Sequence, residues 1–372
     1  MSDKPFFFSL AVPDGNYEVT LELGGKMSST ATVRAESRRL FVDRLSVPAG
    51  GSKTVVFVVN VRTPTIYTRP GESMTTDALP EVRLKPREVG ALDWDEKLTL
   101  EFNGDHPSLR SMSIRAVPEI PTVYLAGDST VVDQDKEPWA AWGQMLPAFF
   151  DSRIAIANNA ESGETIKSFV SERRYAKIMS TIKAGDYLLI QFAHNDQKPG
   201  AGNVPAMTEY KTLLRRYIAD AREHDATPIL VTSMNRRNFD ANGKIVQTLG
   251  DYPQAMREVA AEQKVALIDL NTLSKALFEA MGEQGTLRAF VHFPANTFPG
   301  QAEELKDDTH FTSYGAYELA RAIVQNMRDQ KLDLAEYVRP EIPPFDPAHP
   351  EPFAGFRMPP SPFVNTATPY GR

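Results

Sequence analysis

Thr122-Val123-Tyr124-Leu125-Ala126-Gly127-Asp128-Ser129-Thr130 reads as a short buried strand closed by turn residues, with a serine just past the strand end. The pattern predicts that the strand hands over to a helix at this point. In open parallel sheets the reactive groups gather beyond the carboxyl ends of the strands, which makes Ser129 a candidate nucleophile. A serine hydroxyl attacks only with an imidazole in hydrogen-bond reach and an acid to orient that imidazole. Both types occur 181 residues downstream, where Asp307-Asp308-Thr309-His310 precedes the last helical stretch. Three positions apart, Asp307 and His310 can project into one cleft. Each feature also has a plain structural reading, Asp128 or Ser129 as a helix cap and Asp307-His310 as a solvated loop. The set of three carries the inference.

Outward from this strand, apolar runs alternate with helical stretches. Ile154 to Asn158, Asp186 to Phe192, Pro228 to Met234 and Val265 to Leu270 add four strands, with Thr208 to His224 and Asp251 to Gln263 between them as helices. Such alternation predicts crossover units, and hence a three-layer α/β domain around a five-stranded parallel sheet. Before Pro118 the texture is short alternating runs broken by glycines, as in Tyr17-Glu18-Val19-Thr20-Leu21-Glu22-Leu23, which predicts an all-β sandwich. The expected organisation is therefore a sandwich over 1–118, an α/β domain over 119–338 and a tail over 339–372. Ten prolines in the tail exclude regular structure there. Its aromatics, Phe345, Phe353, Phe356, Phe363 and Tyr370, favour an extended strap on the α/β domain over a flexible linker.

The net charge of -7, with no basic block, argues against nucleic acid or an anionic membrane as partner. Absence of cysteine excludes disulfides, thiolate metal sites and cysteine nucleophiles. Met1 to Pro5 carries no signal-like pattern, and no run approaches the ~18 apolar residues of a membrane span, so a soluble mature chain is expected.

Two more strand ends are polar. Asn158-Asn159-Ala160-Glu161-Ser162-Gly163 puts a glycine in a turn, where its N–H can approach a ligand closely. Ala193-His194-Asn195-Asp196 ends the third strand with an amide able to donate. Gly163 and Asn195, with the Ser129 N–H, form a candidate oxyanion site; as single residues, each is more simply a turn residue. His292, within an expected long loop from Gly282 to Lys306, is a candidate sugar contact weighed evenly against filling a hydrophobic corner; Trp139 reads first as core on the first helix and, near its start, second as a sugar contact at the rim of the pocket. No histidine pair has metal-ligand spacing, so neither metal nor cofactor is expected.

Gly127-Asp128-Ser129, Gly163, His194-Asn195-Asp196 and Asp307-x-x-His310 resemble, in this order, the blocks of the SGNH (GDSL) hydrolases. Ala126 to Thr130, Trp142-Gly143-Gln144 and Asp308-Thr309-His310-Phe311 are more narrowly similar to rhamnogalacturonan acetylesterases, over roughly Thr122 to Gln330. One departure is Ala193, where these esterases usually have glycine. The resemblance implies a flavodoxin-like fold, consistent with the absence of Gly-x-Ser-x-Gly. It further implies a serine acetylesterase acting on acetylated pectic polysaccharide or oligosaccharide, and a secreted or periplasmic setting. Pro13 to Val19 and Val33 to Arg39 resemble the galactose-binding-like sandwich appended to some bacterial members. An esterase for another acylated glycan or small ester, and a glycan-binding protein with a vestigial site, stay open as alternatives. A fragment from Thr122 to Arg372 is expected to act on a small ester by itself.

Overall fold

The structure, a computed structural model, describes residues 4–69, 79–365, 367 and 369. Its first seven strands are β1 (Phe6–Ala11), β2 (Gly15–Leu23), β3 (Ser29–Ala35), β4 (Arg39–Val47), β5 (Lys53–Val61), β6 (Lys97–Asp105) and β7 (Leu109–Ala116). Alternation in β2 sends Tyr17, Val19, Leu21 and Leu23 to a buried face, while Glu18, Thr20 and Glu22 stay partly exposed. Strands in the order β1-β6-β3-β4 form one sheet, and β5-β2-β7 lie together in the other. Val19, Val33, Phe57, Leu100 and Phe102 fill the space between the two sheets.

The next strands, β8 (Thr122–Gly127), β9 (Ala155–Asn158), β10 (Tyr187–Gln191), β11 (Thr227–Val231) and β12 (Ala266–Ile268), pair in parallel. The helices are α1 (Trp142–Met145), α2 (Ser168–Ser171), α3 (Arg174–Thr181), α4 (Lys211–Glu223), α5 (Tyr252–Gln263), α6 (Leu270–Ala289) and α7 (Ser313–Asp329). Val123 and Leu125 of β8 pack towards α1, α6 and α7. Tyr124 and Ala126 point the other way, towards α3, α4 and α5, so both faces of the sheet are covered.

The expected five-stranded parallel sheet is corrected in one respect. The sheet is mixed and has eight strands, in the order β12-β11-β10-β8-β9-β5-β2-β7. Val59 of β5 pairs with Ile156 of β9, which covers a strand edge that would otherwise present unpaired N–H and C=O groups. One sheet of the sandwich and the sheet of the α/β half are thus continuous.

A separate antiparallel pair, β13 (Phe290–Phe293) and β14 (Leu305–Phe311), lies beyond α6. The sequence pattern predicted a long loop from Gly282 to Lys306. Instead α6 breaks at Gly282, with φ of +69°, resumes to Ala289 and runs into β13. The proline-rich tail is extended, and it contacts both halves rather than the α/β half alone. Phe345 is buried, Phe353 and Phe356 pack on Tyr314, and Phe363 meets Phe7. Arg34 and Asn103 of the sandwich donate to the Pro359 and Pro360 carbonyls. Tyr370 lies outside the described residues.

Candidate active site

At the end of β8 the chain turns instead of entering a helix. The Asp128 carbonyl accepts from the N–H groups of Val131 and Val132, while its carboxylate accepts from the Thr130 N–H and hydroxyl at 2.9 and 2.7 Å. The first helix starts only at Trp142. Gly127 is required here, because a Cβ would sit 2.5 Å from Val131 Cγ2. Gly143 is required for the same reason, since its Cβ would meet the Val131 carbonyl at 2.2 Å. Trp142 Nε1 donates to Gln191 at the end of β10, and Gln191 donates to Thr130 Oγ1. The Trp-Gly-Gln segment therefore braces the turn that presents Ser129.

Strand β14 brings Asp307 and His310 to that turn. Ser129 Oγ lies 2.9 Å from His310 Nε2, and His310 Nδ1 lies 2.9 Å from Asp307 Oδ2. All three are buried. Burial would raise the Asp307 carboxyl, but the hydrogen bond and charge of His310, with the Thr309 and His310 N–H groups, hold it below its ordinary value. An ionised, acceptor-only carboxylate keeps the imidazole proton on Nδ1. Nε2 is then free to accept from the Ser129 hydroxyl, the arrangement a general base needs.

The turn that holds Gly163 is tied both to the end of β8 and to Asn195. Glu161 to Glu164 is a β-turn closed by the Glu164 N–H on the Glu161 carbonyl at 3.3 Å, and Gly163 has φ of +84°. Positive φ at the third residue is the signature of a type II turn, which favours glycine. The Glu161 N–H donates to the Gly127 carbonyl, tying this turn to the end of β8. Asn195 Nδ2 donates to the Glu164 carbonyl at 3.0 Å. The Asp196 carboxyl, pushed up to about 8 by burial, accepts from the Ile166 N–H. Burial, then the charges of Arg236 and His310, lower His194 well below its ordinary value, so it stands neutral behind the site.

Trp139 is 2 % exposed, its ring edge-on to the His310 imidazole with centroids 5.9 Å apart, and its N–H donates to the Asn365 carbonyl. It precedes the first helix and lines a cavity of about 260 Å3 with Trp94, Glu161 and Ser162. His292 stands on β13, not in a loop, with Nε2 2.8 Å from Asp308 Oδ1. It lines a different cavity, of about 330 Å3, with Phe293, Phe298 and Phe353. Among the described residues no group of three or more His, Asp and Glu side chains could hold a metal ion.

Three further cations around the site are absent from the candidates read from sequence. Arg236 bonds Thr309 and Thr248, next to the His310 segment. Lys85 and Arg87 arrive from the N-terminal half and bond the Glu161–Glu164 turn. Their only signal was clustered charge ahead of a tryptophan, which reads equally well as a solvated loop.

The model of the GDSL-like lipase/acylhydrolase family matches residues 125–317, a span that includes Ser129, Gly163, Asn195, Asp307 and His310. Rhamnogalacturonan acetylesterase RhgT of Bacillus subtilis (strain 168) is 42% identical over 218 residues, 58% of this chain and 93% of that protein. The rhamnogalacturonan acetylesterase of Emericella nidulans is 27% identical over 240 residues, 59% of this chain and 89% of that protein. The crystal structure of YxiM from Bacillus subtilis aligns with a TM-score of 0.53 at 27% identity, covering 88% of this chain and 81% of that one. The likeness to YxiM thus extends over most of the chain, the N-terminal half included. On the family match and these relatives together, this chain belongs to the GDSL-like lipase/acylhydrolase family and is a hydrolase of ester bonds.

Proposed function

We propose that this chain is a carbohydrate O-acetylesterase that removes acetyl groups from rhamnogalacturonan. The observation that carries the mechanism is the Asp307–His310–Ser129 series of hydrogen bonds, at 2.9 Å each. His310 Nε2 takes the Ser129 proton as Oγ attacks the acetyl carbonyl. The Ser129 and Gly163 N–H groups and the Asn195 amide take the developing oxyanion, and neither N–H has an acceptor among the described residues. His310 then returns the proton to the departing sugar hydroxyl. Water, activated by the same imidazole, cleaves the acetyl-serine and releases acetate. The names of the relatives at 42% and 27% identity support the pectic substrate.

The test is acetate release from acetylated rhamnogalacturonan, acetylated xylan and p-nitrophenyl acetate, comparing wild type with Ser129→Ala. Loss of the nucleophile should lower turnover by about 10⁴-fold or more. Release from the pectin that depends on Ser129 and exceeds release from xylan is the expected result. Ser129-dependent release from the small ester alone would discard the pectic substrate, and release that survives Ser129→Ala would discard the mechanism.

A further inference from the structure

The peptide that joins Ser162 to Gly163 faces two ways. Its N–H is the Gly163 donor, and its carbonyl oxygen belongs to Ser162. In a planar trans peptide the two point in opposite directions, so whatever holds the oxygen aims the hydrogen. Lys85 Nζ lies 2.8 Å and Arg87 Nη2 2.7 Å from the Ser162 oxygen. Both cations come from the N-terminal half, some 75 residues earlier in the chain. Arg87 Nε also bonds the Glu161 carboxylate at 3.0 Å, and Lys85 pairs with Glu164, so the two side chains grip the whole turn.

A type II turn with glycine at its third position has a competitor of similar stability. Rotation of the central peptide converts it to type I and reverses the N–H, and glycine removes the steric barrier. Here that central peptide is Ser162–Gly163. The flip would break both charge-assisted bonds to the Ser162 oxygen, each stronger than a neutral hydrogen bond. Donors on a peptide oxygen also polarise its N–H, which strengthens the bond on the other side.

The segment that carries the clamp is itself anchored. The Arg83 N–H donates to the Glu172 carbonyl at 3.0 Å. Glu88 accepts from the Lys85 N–H at 2.8 Å and from Trp94 Nε1 at 3.0 Å, and it pairs with the fully buried Arg174.

We infer that Lys85 and Arg87 are positioning residues for the esterase reaction: by holding the Ser162 carbonyl, they aim the Gly163 N–H at the oxyanion. The inference rests on the reading of Gly163 as an oxyanion donor. It also reverses the expectation that the fragment from Thr122 is active alone, because that fragment lacks the clamp.

The experiment uses the full chain with Lys85→Met, Arg87→Met and the double substitution, assayed on p-nitrophenyl acetate. The double variant should lose about 10²-fold in kcat while KM moves by no more than about twofold, the pattern of an interaction made only in the transition state. Benzeneboronic acid, a tetrahedral mimic when it adds to Ser129, should lose affinity by the same factor as kcat. Arg87→Lys, which keeps a cation, should recover most of the loss. If the double variant does not fold, Lys85→Gln and Arg87→Gln are read in its place. A kcat unchanged in the variants, or a loss confined to KM, overturns the clamp while leaving the Ser129 mechanism intact. Hydrolysis that persists in Ser129→Ala instead overturns the reading beneath it.

Discussion

Ser129, His310 and Asp307 are as removed from water as Arg34, Arg38 and Arg39, yet the two groups are assembled in opposite ways. In the α/β half, the acid and the base sit three residues apart on one strand, and a second strand end delivers the nucleophile. In the sandwich, the arginines come from a single hairpin and find every partner at long range. Arg38 donates to the Gln134 and Trp139 carbonyls at 3.0 and 2.8 Å and pairs with Glu137 at 2.6 Å. Arg39 reaches Asp133 at 3.1 Å and the Ile156 carbonyl at 3.2 Å. In the proposed mechanism the first group performs chemistry on a scaffold that should stand without it. The second is scaffold, because it fastens the segment between Ser129 and the first helix to the sandwich.

That difference predicts opposite consequences for removing a charge. Asp307→Asn should lower kcat by about 10⁴-fold, as an amide in place of the orienting acid does in comparable triads. The physical cause is the tautomer: the Asn amide donates to Nδ1, which leaves the proton on Nε2, where it cannot accept from Ser129. Because an Asn oxygen can still accept from the Thr309 and His310 N–H groups, the denaturation midpoint should hardly move. Loss of stability in parallel with activity would show that Asp307 also belongs to the scaffold, and the contrast would collapse.

Arg38→Met tests the other side. It leaves Glu137 inside without its cation and strips two carbonyls of a charged donor, so unfolding in urea should show a loss of about 3–5 kcal/mol. Activity measured well below the new melting temperature should fall far less than in Asp307→Asn. If stability were unchanged, the hairpin would be a surface decoration and not the fastening described here.

The same contrast explains what the sequence disclosed. Ser129, Gly163 and Asn195 were legible as candidates because each follows a strand end of the parallel sheet, marked by local apolar runs and turn residues; Asp307 and His310 were legible by residue type and spacing alone, and they lie within β14, in a separate antiparallel pair. The continuity of the two sheets was not legible. It rests on Val59 opposite Ile156, a pairing across about a hundred residues that leaves no local pattern. Arg38, Lys85 and Arg87 were equally silent, since a cation that holds a distant carbonyl has the same letter as a solvated one and only those carbonyls distinguish them. His292 was misplaced because the break at Gly282 looks like the end of a helix, when α6 in fact resumes.

Glu36, in the same hairpin as Arg38, gives the smallest and sharpest test of how the sandwich manages its charges. Its Oε1 accepts from the Thr99 N–H at 2.9 Å, but its buried Oε2 has no partner among the described residues. Burial is the largest influence on this carboxyl and pushes it up to about 8, against the lowering effects of Arg39 and Thr99. In the unfolded chain the same group titrates near ~4.3. Between those values the folded state holds a proton that the unfolded state has released, so stability falls as pH rises. This contribution is complete below about pH 4 and gone above the folded value near 8. Glu36→Gln fixes the side chain in its uncharged shape and removes that slope. The variant should melt with wild type at pH 5 and about 2–5 °C above it at pH 9. Melting curves recorded across that range decide the matter: an offset that is the same at both ends would mean the carboxyl is already ionised in the folded protein, held by Arg39 as His310 holds Asp307.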